Sequence, residues 1–250
     1  MIRFASFAAM LLVWAAAAHF SDPRYLPGPG AVATKIWEIG RNGELFDHLS
    51  ITLARVGAAF ALAMSAGSIL GFVMGRSALA NEILDPWLIV LLNLPALVII
   101  VIAFIDAGLT EAAAIGAVAL NKLPGAIVLA REGARTLDPA LEEMAAVFRL
   151  PFKTRLRHIV APQLAPYLVA SARSGLSLVW KIVLVVELLG RPNGIGYEIS
   201  LAFQQSVQMQ SILAYSIPFI AIMLAVETLL VAPLERYVSR WRPHAARRFN

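Results

Sequence analysis

Leu137-Asp-Pro-Ala-Leu-Glu-Glu-Met-Ala-Ala-Val-Phe-Arg-Leu-Pro151 is a polar island in an otherwise apolar chain. Asp138-Pro139 reads as a helix start, with the carboxylate at the N-cap and proline at the first helical position. Glu142 and Glu143 then sit in the first turn, where the helix dipole favours negative charge. Pro151 breaks that helix, and a second segment, Phe152–Val160, carries Lys153, Arg155, Arg157 and His158. Pro162 and Pro166 close the loop as the next apolar run begins. From Arg131 to Pro166 the segment is far longer than neighbouring helices need as a connector. A helix–break–helix element joined to a membrane helix suits the passing of motion between a soluble partner and the membrane. The alternative is a basic loop that only fixes topology.

On both sides of this island lie runs of the length a bilayer asks of a helix, about 20 apolar residues. They are Phe4–Phe20, Ile51–Gly75, Asp85–Ile105, Glu111–Ala130, Leu164–Gly190 and Ser211–Val231. Of the 250 residues, 59% are hydrophobic and 15% charged, and the mean hydropathy is +0.73. Both percentages fall outside the range of soluble domains, which excludes a water-soluble globular fold. The expected class is an all-α membrane protein of about six transmembrane helices in a single domain spanning residues 1–250. The first run is short and ends in Ala15–Ala18, so a cleaved signal peptide is the alternative to an uncleaved span. With no cysteine, neither disulfides nor Cys-based metal or redox sites are available.

The formal charge of +5 carries an orientation. With the N-terminus inside, inside segments hold thirteen Lys and Arg residues and outside segments four (Arg24, Lys35, Arg41 and Arg191). Both termini are therefore expected in the cytoplasm. The basic balance is a topology signal and gives no support to nucleic-acid binding.

Several runs carry packing signals. Ala59, Ala63, Gly67, Gly71 and Gly75 form a small-residue ridge suited to close helix approach. Asp85-Pro86 reads as the start of the third span, while Asn93 and Pro95 predict a kink inside it, and a kink at membrane depth either marks a path or is only a packing adjustment. Val32–Ile39 has the spacing of a helix lying on the membrane surface. Glu198–Met209 reads as a short helix after the turn cluster Arg191–Tyr197.

Ionisable residues inside spans are functional candidates by default. Arg55 lies near a span end and is expected to snorkel. Arg173, Ser177 and Lys181 recur every four residues on the fifth span, and Lys122 sits mid-way along the fourth. A cationic stripe would attract anionic groups. Lys181, Ser177, Arg173, Lys122 and Asn93 are therefore the candidates for a translocation path. The competing reading is interhelical pairing with Glu187, Glu227 or Asp106.

No H-E-x-x-H, G-x-S-x-G or G-x-x-x-x-G-K-[ST] pattern occurs. The four histidines are scattered, with His19 and His48 expected at the outer surface, so no catalytic or metal site is expected. A gradient-driven transporter or channel remains the alternative function. Such folds often show inverted repeats with paired broken helices, and none is visible here.

Glu143-Met-Ala145, followed by Ile159-Val-Ala-Pro162, resembles the EAA loop of permease subunits in binding-protein-dependent ABC importers. That pattern reads E-A-A, a Gly after three further residues, then I-x-L-P after nine more. Met144 replaces an Ala, Ala161 replaces the Leu, and Arg149 stands where the Gly would turn the chain left-handed, with Pro151 available as the break. Tyr25-Leu-Pro-Gly-Pro, Leu137-Asp-Pro-Ala-Leu, Glu187-Leu-Leu-Gly and Gly194-Ile-Gly-Tyr197 look like the nitrate/sulfonate/taurine branch. The resemblance implies a type I importer-like bundle in the bacterial inner membrane, with the EAA loop as a cytoplasmic coupling helix. It also implies a separate ATPase subunit that binds ATP and Mg, an external substrate-binding protein, and a second permease copy. Glu142, Glu143, Met144, Ala145, Phe148, Arg149, Leu150, Pro151 and Arg155 would contact that ATPase. The chain itself would bind no cofactor and would carry a small anionic or zwitterionic solute by alternating access.

Overall fold

The computed structural model describes residues 2–205 and 208–239. Every regular element among them is helical: α1 (Ile2–His19), α2 (Pro29–Arg41), α3 (Glu44–Arg76), α4 (Ala78–Asn93), α5 (Ala96–Ala107), α6 (Glu111–Arg135), α7 (Pro139–Val147), α8 (Phe152–Arg155), α9 (Ala161–Gly190), α10 (Ile195–Gln204), α11 (Met209–Val226) and α12 (Ala232–Ser239). Wide π turns at Leu156–Val160 and Glu227–Val231 are spliced between α8 and α9 and between α11 and α12. The chain divides into two compact units, Met1–Arg55 with Val183–Leu224 and Val56–Ile182 with Ala225–Asn250. The C-terminal basic residues counted for orientation, apart from Arg236, lie outside the described residues.

Four helical runs are long and apolar enough to cross a membrane: Glu44–Arg76, Glu111–Arg135, Phe152–Gly190 and Met209–Val238. α4 and α5 together meet the same test, but are bent by 100° at their junction. The described apolar part of α1, Ala5–His19, falls short of the roughly 20 residues of a full crossing. The expected six spans are thus four long runs, one broken pair and one short helix.

The break has a local cause. Leu94 takes an extended conformation (φ −74°, ψ 125°) and Pro95 starts the next helix. A residue before proline is driven out of the helical region, and proline has no N–H with which to bridge the gap. The kink expected from Asn93 and Pro95 is therefore a full interruption. Asp85-Pro86 does not open α4 but lies inside it. The cap is Ser77, whose hydroxyl accepts from the Ala80 N–H at 3.2 Å. The Asp85 carboxylate pairs instead with Arg131 of α6.

In the second unit the small-residue ridge meets α6. Ala59 and Ala63 are buried. A Cβ at Gly67 would stand 2.5 Å from the Ala126 Cβ, and one at Gly75 would stand 2.5 Å from the Ala134 Cβ. Only glycine permits this separation, so lipid-like surroundings favour the pair through van der Waals contact. Pro162 and Pro166 do not end a loop. Phe152–Gly190 is one helical run, and the wide turn just before Pro162 makes room for its ring and missing donor. The Gln163 side-chain amide donates to the Ile159 carbonyl at 2.9 Å.

In the first unit α2 turns Val32 and Ile39 inward. α10 runs Ile195–Gln204 rather than Glu198–Met209, because Gly194 supplies its start at φ +105°, a conformation open to glycine alone at little cost.

Candidate functional site

α7 forms where its sequence signals place it. Asp138 accepts from the Ala140 N–H at 2.9 Å, and Glu142 falls in the first turn, with Glu143 one residue beyond. The end of α7 is the unexpected part. Leu150 N–H donates to the Ala145 carbonyl at 2.9 Å and Arg149 N–H to the Ala146 carbonyl at 3.0 Å. These are the paired bonds of a Schellman stop, with the left-handed position filled by Arg149 at φ +47°. The left-handed turn thus persists without the glycine, and Pro151 opens the following helix rather than making the break alone.

Glu142 ties this segment down. Its carboxylate accepts from the Arg76 guanidinium at the end of α3 and lies 3.4 Å from the Arg155 guanidinium of α8. Ala145 is buried, whereas Met144, Val147, Phe148 and Phe152 are exposed, the last three by more than 70%. The segment thus presents an exposed apolar edge. The expected members of the segment are therefore brought together, with Ala145 and Glu142 facing the protein, and Glu143, Met144, Phe148 and Arg149 facing outward.

The path candidates part company. A cavity of about 440 Å³ in the second unit is lined by Lys122 of α6 and by Ser174, Ser177 and Lys181 of α9, with leucines of α4. Lys122 is buried, and its ammonium lies 3.4 Å from the Ser171 hydroxyl. Lys181 is exposed, its ammonium 5.6 Å from the Trp180 ring centroid. Arg173 leaves the group, because its guanidinium pairs with Glu227 at 3.7 Å and with Glu235, which is the competing reading. Asn93 does not line the cavity either; its amide bonds back to the Ile89 carbonyl at 2.8 Å.

Arg55 does not snorkel. It is buried, donating to Glu187 Oε1 at 2.7 Å and to the Asn193 carbonyl at 2.8 Å. Glu187 also accepts from the Thr52 hydroxyl at 3.0 Å and the Gly196 N–H at 2.9 Å. His48 is part of the same network rather than a surface group. Its Nδ1 accepts from the Gly194 N–H at 3.0 Å and its Nε2 faces Glu198 at 3.1 Å. Sequence reading missed this cluster. Part of its signal was present: Arg55 is the lone charge of its run, and Glu187, already a candidate for interhelical pairing, is the one carboxylate of another.

Comparison with known proteins places these features in a family. Residues 63–242 match the family model described as "Binding-protein-dependent transport system inner membrane component". A protein of Escherichia coli (strain K12) described as an aliphatic sulfonates transport permease is 30% identical over 94% of this chain and 89% of its own length. The nitrate import permease protein of Synechococcus elongatus is 27% identical over 75% of this chain and 71% of its own length. Among solved structures, a crystal structure of an amino acid ABC transporter with histidines superposes with a TM-score of 0.64 at 15% identity, covering 80% of this chain and 96% of that one. The all-helical fold is therefore the fold of ABC importer permeases. The chain belongs to the family of binding-protein-dependent transport system inner membrane components, and is a multi-pass permease subunit of such a system.

Proposed function

We propose that the chain forms the membrane path of an ATP-driven importer for a small oxyanion or zwitterion, with both termini cytoplasmic. The observation that carries this reading is α7, a short capped helix pinned by Glu142 that offers Met144, Val147 and Phe148 outward. A gradient-driven carrier has no use for such an edge. On this reading α7 is the coupling helix, and Glu143, Met144, Phe148, Arg149, Leu150 and Pro151 sit against a separate ATPase that holds ATP and Mg. The chain itself is no enzyme and binds no cofactor. An external binding protein delivers the solute, and a second copy of this chain completes the pair. Relatives of the chain are described as permease proteins of aliphatic sulfonates transport, nitrate import and bicarbonate transport, and these solutes share a small delocalised anionic group. Alternating access follows if partners bias two states of the bundle.

The test is capture. The tagged full chain, extracted in mild detergent, should bring down an ATPase chain carrying a P-loop, and Phe148→Asp should lose it. An unaccompanied wild-type chain would overturn the reading in favour of a gradient-driven carrier.

A further inference from the structure

We infer that the cavity between α6 and α9 is an oxyanion-binding site within the permease itself, anchored by Lys122 and Lys181, with Gly175 as the residue that positions Lys122. The inference rests on the permease reading and narrows its cargo from anion or zwitterion to anion, chosen a second time after the binding protein.

Lys122 is only 3% exposed. A buried ammonium is normally paired with a carboxylate, because desolvation without a counter-charge is costly. Among the described residues neither Lys122 nor Lys181 has a carboxylate within ion-pair range. The ammonium of Lys122 has one hydrogen-bond partner, the Ser171 hydroxyl at a long 3.4 Å. The cavity thus presents a buried ammonium with no counter-charge of the chain's own, which an anion entering the cavity would supply. Ser174 and Ser177 direct their hydroxyl protons to the Ser171 and Ser174 carbonyls at 3.2 and 3.0 Å, so attraction for an anion falls to the two ammonium groups.

The placement of Lys122 is built. A Cβ on Gly175 would stand 2.7 Å from the Lys122 Nζ and 2.9 Å from its Cδ, so the absent side chain is the notch through which the lysine passes. The volume of about 440 Å³ suits a small-molecule site (~300–1,000 Å³). Leu91, Leu92 and Leu178 on its wall leave room for a short alkyl group beside the anionic head. A short alkanesulfonate fits this chemistry, and nitrate satisfies the polar part alone.

Thermal unfolding of the purified chain in nanodiscs, at constant ionic strength, reads this directly. Ethanesulfonate and nitrate should raise the melting temperature of the wild type in a saturable way, and neutral diethyl sulfone should not. Lys122→Met should melt higher than wild type without anion, having lost an unpaired buried charge, and should bind ethanesulfonate ~10-fold more weakly or worse. Gly175→Ala, which keeps the charge but displaces it, should weaken binding likewise and serves if Lys122→Met does not fold. No protection of the wild type, equal protection by the sulfone, or undiminished affinity in Lys122→Met or Gly175→Ala would overturn the inference. ATPase capture by the wild type tests the permease reading separately: capture with unchanged anion affinity in the variants removes this site alone.

Discussion

Arg55 of α3 and Glu187 of α9 form an ion pair at 2.7 Å with side chains 4% and 0% exposed. Thr52, Asn193 and Gly196 add further hydrogen bonds to the pair. Removal of one member of a buried pair leaves an uncompensated charge, at about 3–5 kcal/mol, whereas replacing both by apolar groups of similar volume is often near neutral. Glu187→Leu should therefore lower the melting temperature steeply, and Arg55→Met with Glu187→Leu should recover most of the loss. Additive effects in that double-mutant cycle would show that the two residues do not stabilise each other.

A second prediction concerns the glycine ridge. At Gly71 an added Cβ would meet the Ala130 Cβ at 2.7 Å and the Arg131 amide nitrogen at 3.0 Å. At Gly57, on the same helix, nothing lies within 4 Å. Gly71→Leu must force α3 and α6 apart, and overpacking of this kind costs about 1–3 kcal/mol or more. Gly57→Ala should be tolerated or slightly stabilising, since it adds helix propensity without a clash. Detergent-solubilised yield and melting temperature of the two variants check this contrast.

These two cases mark what was legible in the sequence and what was not. Local chemistry read well. The Asp138 cap, the helix after it and the ridge at Ala59–Gly75 depend on neighbours or on one periodicity, and the structure places them as read. Partner choice read poorly. Arg55 lies 132 positions from Glu187, and nothing local distinguishes a snorkelling arginine from a paired one. Asp85 looked like a cap because Pro86 follows it, until Ser77 capped the helix and Arg131 claimed the carboxylate. The cavity was half legible: spacing put Ser177 and Lys181 on one face, but only tertiary contact separates Arg173, held by Glu227 and Glu235, from Lys122.

Arg149 gives a third prediction. It holds a left-handed conformation at φ +47°, which costs an ordinary L-residue roughly 1–2 kcal/mol and glycine very little. Arg149→Gly should leave the fold unchanged and offset part of that strain with the greater freedom of glycine in the unfolded chain, a net gain under about 1 kcal/mol. Arg149→Val, β-branched at the same position, should destabilise the turn. Limited proteolysis between Val147 and Phe152 reports the local effect: the valine variant should be cut faster than wild type and the glycine variant no faster.

Glu142 provides the test of how α7 acts. Its carboxylate joins α7 to Arg76 at the end of α3 and to Arg155 of α8, so it links the exposed edge at Met144, Val147 and Phe148 to helices of the membrane domain. The pairs are only partly buried, and each contributes about 0.2–1 kcal/mol; Glu142→Gln should barely move the melting temperature. The docking edge is untouched, so ATPase capture should persist. What fails is transmission, because motion delivered to α7 no longer passes through a charged link to α3. In vesicles holding the complete importer, ATP-driven uptake should fall several-fold while ATP hydrolysis continues, and exchange of the charges in Arg76→Glu with Glu142→Arg should restore part of it. Uptake and hydrolysis falling together, or neither falling, would assign Glu142 no part in coupling.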